Sequence, residues 1–137
     1  TATHIMLAGL RKMFGTGVEQ KGSNITEERL RFDFNLDHKM TSEELTELEK
    51  FVNDVINNKI DVVKSELAYK DAVAQGAYGV FNAESDDQIV SIYTIEGVDK
   101  QICGGPHAKN TGDLGQFVIK KEESSASGIR RIKAILK

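Results

Sequence analysis

Apolar side chains recur along the chain with two different spacings, and each spacing predicts one type of element. Residues 4–14 are apolar at more positions than a surface helix would be, and Gly15 follows them. This segment is therefore predicted to be a mostly buried helix that ends at Gly15. Leu30, Phe32 and Phe34 alternate with polar residues, which predicts a strand with these three side chains on its inward face.

A second helix is predicted after Thr41. Thr41 and Glu44 have the spacing of a capping box, in which each side chain accepts a hydrogen bond from the backbone N–H of the other residue. The apolar residues that follow form one stripe at helical spacing: Leu45, Leu48, Val52, Val55 and Ile56. This helix is expected to bury one face and to leave most of its charged side chains outside it.

The remaining segments predict short elements of both types. Residues 69–75 predict a short helix ended by Gly76, and strands are predicted over 60–67, 88–95, 115–121 and 128–136. Helices and strands follow one another without a regular βαβ order. This arrangement predicts an α+β fold with a largely antiparallel sheet.

Composition and length fit one compact domain over residues 1–137. The chain is 39% hydrophobic and 28% charged, and it shows no internal repeat. It has no apolar run of the roughly 18–20 residues that cross a membrane, and no basic-then-apolar start typical of a secretion signal. Its single cysteine cannot form an internal disulfide. We therefore predict a cytoplasmic protein with no membrane partner.

The charge balance gives no general argument for nucleic-acid binding, since the net charge is −3. A local basic patch is the remaining possibility, and Arg130, Arg131 and Lys133 near the end of the chain are the best candidates for contacts to RNA phosphates. The alternative is that these three side chains are ordinary solvated charges on a strand.

A candidate metal site comes from two distant segments. Cys103 and His107 flank a predicted tight turn, Gly104-Gly105-Pro106, and cysteine and histidine are the preferred ligands of zinc. His4 opens the apolar first helix, where an unused imidazole would be costly. The alternatives are a cysteine that acts as a small buried hydrophobe and a histidine at a fraying helix end.

The number of ligands would indicate the role of such a metal. Structural zinc sites have four protein ligands, whereas catalytic sites typically have three and leave a position for water or substrate. If His4, Cys103 and His107 converge, a three-ligand zinc suits hydrolysis of an ester.

Several segments together resemble the editing domain of alanyl-tRNA synthetases and its free-standing relatives. They occur in the order of that family and span nearly the whole chain: TATH (1–4), VEQKGS (18–23), LRFDF (30–34), EKFVN (49–53), Gly76-Ala77 before Phe81, CGGPH (103–107), TGDLG (111–115) and SASGIRRI (125–132). The resemblance implies a two-layer fold in which a mostly antiparallel sheet packs against helices. It also implies hydrolytic deacylation of tRNA(Ala) that carries serine or glycine, so mischarged aminoacyl-tRNA is the implied partner.

The resemblance also assigns roles to individual residues. His4, Cys103 and His107 are implied zinc ligands, and Thr3 and Gln20 fall on positions that line the catalytic pocket. The family pairs the histidine at position 4 with another one four residues earlier, which would immediately precede Thr1. We therefore expect a single editing domain truncated at its N-terminus.

The missing ligand leaves alternatives for metal binding, and the resemblance leaves two alternatives to an editing enzyme. Three ligands either bind Zn²⁺ with water in the fourth position, or bind it weakly or not at all. The first alternative to an editing enzyme is a non-catalytic domain that keeps the fold and binds tRNA or protein. The second is a domain in which the zinc is purely structural.

Overall fold

The computed structural model describes residues 1–79, 83–105 and 107–137. Pro106 of the predicted tight turn and Phe81 of the family-like segments lie outside these residues. Three helices and seven strands make up the described part: α1 (Ala2–Phe14), β1 (Gln20–Ile25), β2 (Leu30–Asn35), α2 (Ser42–Asn57), β3 (Val62–Ala68), α3 (Tyr69–Ala74), β4 (Ile89–Ile95), β5 (Asp99–Ile102), β6 (Phe117–Ala126) and β7 (Ile129–Leu136). A 3₁₀ helix, Thr111–Leu114, precedes β6.

The two long helices form as their patterns predict. Every residue from Ala2 to Leu10 of α1 is buried, and Gly15 ends the helix at a positive φ of 103°, with its N–H bonded to the carbonyl of Arg11. The capping box of α2 is present in both directions, since Thr41 Oγ1 accepts from the N–H of Glu44 at 3.1 Å and Glu44 Oε1 accepts from the N–H of Thr41 at 2.9 Å.

The strands form two antiparallel sheets, which confirms the predicted α+β class. The first sheet has the order β1-β2-β7-β6 and the second has the order β3-β4-β5. Leu30, Phe32 and Phe34 of β2 are buried as their alternation predicts. The pattern predicted neither β1 nor β5 and did not predict that the strands divide into two sheets.

Each sheet has its own apolar cluster. The larger cluster lies between α1, α2 and the four-stranded sheet and contains Phe32, Phe34, Phe117, Leu48 and Ile132, all fully buried. The smaller one lies between α3 and the three-stranded sheet. Helix α1 joins the two regions, because it packs against α2 and also against β5. None of the helices in the described ranges is long and apolar enough to cross a membrane.

Candidate metal centre

The start of α1 and the segment after β5 bring together three side chains that could hold a metal ion. His4, Cys103 and His107 each offer one ligand atom, and these atoms lie within 4.8 Å of one another. His107 Nε2 lies 3.4 Å from Cys103 Sγ, and the imidazole rings of His4 and His107 are 4.3 Å apart between centroids. The fold thus brings His4 close in space to two residues that are distant from it in the sequence.

Local contacts hold His107 in place. Thr1 Oγ1 accepts a hydrogen bond from the N–H of Ala108 at 2.9 Å and lies 3.1 Å from His107 Nδ1. The Tyr93 ring packs against the His107 ring with 3.9 Å between centroids. Because Nδ1 of His107 faces a hydroxyl, Nε2 is the nitrogen directed toward Cys103.

Burial keeps both histidines of this group neutral at neutral pH. Desolvation, helped by the neighbouring His107, lowers the pKa of His4 to about 3. Desolvation also lowers the pKa of His107 to about 4. Since a metal binds the neutral imidazole, no proton has to be removed from either ring before coordination.

The donor set fits a zinc ion. One thiolate and two imidazoles are typical zinc ligands, and bond lengths of about 2.0–2.3 Å in a tetrahedron put neighbouring ligand atoms ~3.3–3.8 Å apart. The 3.4 Å separation of His107 Nε2 and Cys103 Sγ already has this value. Three protein donors leave one tetrahedral position for another ligand.

A buried polar network surrounds the other side of His4, and the sequence analysis did not identify it. Asp99 Oδ2 lies 3.9 Å from His4 Nδ1, and the same carboxylate accepts hydrogen bonds from Gln101 Nε2, at 2.8 Å, and from the hydroxyl of Tyr78. Burial raises the pKa of Asp99 to about 6, against the opposing effect of these hydrogen bonds. At neutral pH the network therefore contains a carboxylate next to a neutral imidazole.

The alternation of β5 is the signal that would have identified these residues. Asp99 and Gln101 are two positions apart, so they share one face of β5, and both are buried although polar; Cys103 follows two residues later, just beyond the strand. Two inward polar residues that lead directly to a candidate ligand are unusual, because buried polar groups need partners.

Thr3 and Gln20 occupy different surroundings. Thr3 precedes His4 in α1 and is buried. Gln20 begins β1, donates a hydrogen bond to Ser23 Oγ at 3.1 Å, and lines a cavity of about 490 Å³ together with Tyr78 and Gln101. The described residues that line this cavity do not include His4, Cys103 or His107. The shared neighbour is Gln101, which also contacts the carbonyl of His4 at 3.4 Å.

The three basic residues of β7 lie in ion pairs. Arg130 binds Glu122 through two nitrogens, at 2.5 and 3.0 Å, and Arg131 binds Asp33 in the same way, at 2.9 and 3.1 Å. Lys133 pairs with Glu123 at 3.1 Å. Their role in RNA binding remains a prediction, and any phosphate would meet charges that carboxylates already partly neutralise.

The chain matches one protein-family model, and it is also similar to several alanine–tRNA ligases. The family model of the threonyl and alanyl tRNA synthetase second additional domain matches residues 90–133, which include Cys103, His107 and all three basic residues of β7. The chain is 52% identical over 99% of its length to the alanine–tRNA ligase of Borrelia hermsii, and 46% identical over 99% to that of Treponema denticola. It is 44% identical over 98% to the alanine–tRNA ligase of Pseudothermotoga lettingae.

Fold and matches together indicate the class of domain. The α+β architecture, the match of residues 90–133 to the second additional domain and the similarity of nearly the whole chain to alanine–tRNA ligases are consistent with an alanyl-tRNA synthetase additional domain. The chain spans 23%, 22% and 16% of the lengths of these three relatives.

Proposed function

We propose that this domain hydrolyses the ester bond of tRNA(Ala) that has been mischarged with serine or glycine, with zinc bound to His4, Cys103 and His107. The convergence of these three side chains carries the proposal, because it places one cysteine sulfur and two imidazole nitrogens within 4.8 Å of one another. The similarity to alanine–tRNA ligases supports tRNA(Ala) as the nucleic acid.

The proposed reaction is hydrolysis of the aminoacyl ester, and water is its only second reactant. Water adds to the ester carbonyl carbon, the bond from that carbon to the ribose oxygen breaks, and one proton of the water ends on the ribose hydroxyl. A zinc ion supplies Lewis-acid polarisation of the groups that it contacts and orients them. His4 and His107 are neutral and Cys103 lies beside them, so the chain contributes a preformed donor set.

Thr3 and Gln20 are proposed to supply the polar contacts to the substrate. A site that pairs a hydroxyl discriminates strongly against an analogue that lacks it, and Thr3, next to His4, is the candidate partner for the serine side chain. Glycine would enter through its small size. The Gln20 amide is the candidate for orienting the water or the aminoacyl group.

A histidine comparison tests the proposal. We expect His107→Ala to abolish release of serine from Ser-tRNA(Ala), whereas His38→Ala leaves the rate unchanged. His38 is the matched control because it is exposed and pairs with Asp37 outside the metal-binding group. Equal rates for His107→Ala and the unchanged protein would contradict a metal-assisted hydrolysis and would favour a domain that only binds tRNA or protein.

Removal of the metal separates a catalytic from a structural zinc. Small domains that need zinc to fold lack a sufficient apolar core, whereas this domain has two apolar clusters that do not include the three ligands. We therefore expect a chelator to stop deacylation while circular dichroism and the thermal transition stay those of a folded protein. Unfolding by the chelator would assign the zinc a structural role instead.

A further inference from the structure

The buried carboxylate of Asp99 lies outside the three proposed ligands but faces one of them. Its side chain is only 1% exposed, and its Oδ2 is 3.9 Å from His4 Nδ1. A carboxylate buried to this degree costs free energy unless partners compensate it, so its place beside an imidazole needs an explanation.

Two hydrogen bonds fix where this carboxylate points. The Tyr78 hydroxyl donates to Oδ1 and the Gln101 amide donates to Oδ2 at 2.8 Å. Tyr78 is itself held by main-chain pairing to β5, since the N–H of Ile102 donates to its carbonyl at 2.7 Å, and by the Arg11 guanidinium 3.6 Å over its ring. The carboxylate is therefore fixed before any ligand binds.

The same residues connect β5 to the first turn of α1. Gln101 donates to Asp99 and also contacts the carbonyl of His4 at 3.4 Å. Cys103 follows Gln101 by two residues, just after the end of β5. Strand β5 and the residue that follows it thus present both the group that faces His4 and a second candidate ligand.

We propose that Asp99 is a positioning residue for His4: its negative charge, 3.9 Å from Nδ1, favours the tautomer that carries the proton on Nδ1, which leaves Nε2 as the nitrogen that binds the metal. Carboxylates that accept from the second nitrogen of a metal-bound histidine fix its tautomer and ring orientation. Tyr78 and Gln101 act through Asp99 by keeping it in place. This inference rests on the proposed zinc site.

Cobalt titration of the purified full-length protein tests the role of Asp99. Co²⁺ bound to a thiolate gives a charge-transfer absorption, and loss of this absorption in Cys103→Ser assigns it to this site. We expect Asp99→Asn to weaken Co²⁺ binding by about 10–100-fold, the range typical of lost outer-shell partners of metal ligands. Asp86→Asn is the matched control, since Asp86 is an exposed carboxylate, and it should bind Co²⁺ like the unchanged protein.

A second variant covers the case in which Asp99→Asn does not fold. Tyr78→Phe keeps the carboxylate and removes one of its two hydrogen bonds, so we expect several-fold weaker Co²⁺ binding, a smaller loss than in Asp99→Asn. Circular dichroism establishes that each variant is folded at the titration temperature. A Co²⁺ affinity equal to that of Asp86→Asn in either folded variant would overturn the role of Asp99.

The Co²⁺ titration distinguishes an error in the role of Asp99 from an error in the proposed metal site. If the unchanged protein shows no thiolate–Co²⁺ absorption, the metal site itself is wrong and the inference falls with it. If the unchanged protein binds Co²⁺ and the folded Asp99→Asn binds it equally well, the metal site stands and only the positioning role is wrong.

Discussion

Replacing Thr111 with valine removes one fully buried hydroxyl and leaves the shape of the side chain almost unchanged. Thr111 Oγ1 donates to the carbonyl of Val55 at 2.8 Å and accepts from the N–H of Ile60 at 2.9 Å. Val55 lies in the last turn of α2, where carbonyls have no partner within the helix. The hydroxyl therefore joins the end of α2 to the segment that follows His107.

The cost of the substitution follows from these two bonds. Thr111 is 0% exposed, so water cannot replace the lost hydroxyl. Each buried backbone group left without a partner costs roughly 1–3 kcal/mol, and the extra methyl of valine returns less than about 1 kcal/mol. We expect Thr111→Val to lower the free energy of unfolding by about 2–4 kcal/mol, a large share of the 5–15 kcal/mol that is typical of a domain.

Urea unfolding followed by circular dichroism measures this difference, and two controls make it specific. Thr111→Ser keeps the hydroxyl and loses a methyl, so it should be more stable than Thr111→Val by about 1–2 kcal/mol. Thr46→Val removes a similar bond, from Thr46 Oγ1 to the carbonyl of Ser42, but on the exposed face of α2, and should change stability by less than about 0.5 kcal/mol. A valine variant as stable as the serine variant would refute the assignment of the stability to the hydrogen bonds.

Two other substitutions test the backbone and the charges of the four-stranded sheet. Gly115 has a φ of 80°, and a Cβ there would clash with the carbonyl oxygen of Lys137, so Gly115→Ala should lower the melting temperature by several degrees; an unchanged transition would contradict this. Burial alone would raise the pKa of Glu122, but hydrogen bonds from Arg130 and from the N–H of Met40 outweigh it and hold the pKa below its usual value. A lowered carboxyl pKa adds stability that is fully present above about pH 4.5 and is lost as the pH falls through the folded-state pKa. The stability difference between the unchanged protein and Glu122→Gln, measured by urea unfolding, should therefore be larger at pH 7 than at pH 3.5, and a difference independent of pH would be inconsistent with the ion pair.

Elements with strong apolar periodicity could be predicted from the sequence, and those without it could not. The stripe of α2 and the alternation of β2 indicate both the type of element and the buried face, and the structure confirms them. Strand β1 is almost entirely exposed, so its sequence has no apolar alternation to detect. Strand β5 has only four residues and directs polar side chains inward. The division into two sheets depends on pairing between distant strands, which local periodicity does not contain.

The candidate site also contains residues that could be predicted from the sequence and residues that could not. Residue type and spacing single out Cys103 and His107, but no local rule links them to His4 across nearly a hundred residues, and only the family resemblance implied that link. Asp99 was not identified because its alternation with Gln101 covers only two positions of a short strand, and Tyr78 because a single aromatic residue has no distinctive spacing. Their proposed roles rest on the burial of Asp99 beside His4 and on its hydrogen bond from Tyr78, which are properties of the folded chain.

The basic side chains of β7 show how a charge pattern can have two explanations, and Arg131 allows them to be separated. Loss of one phosphate contact lowers the slope of log K against log salt by about 1, but the bidentate pair with Asp33 already neutralises much of the charge of Arg131. If Arg131 contacts tRNA, Arg131→Gln should lower the slope by less than 1, and Asp33→Asn should strengthen binding by releasing the guanidinium. If the pair only holds β2 to β7, both variants lower the free energy of unfolding and neither changes the salt dependence of tRNA binding. Measuring tRNA affinity against salt for this pair of variants thus decides whether the basic residues of β7 serve RNA or the sheet.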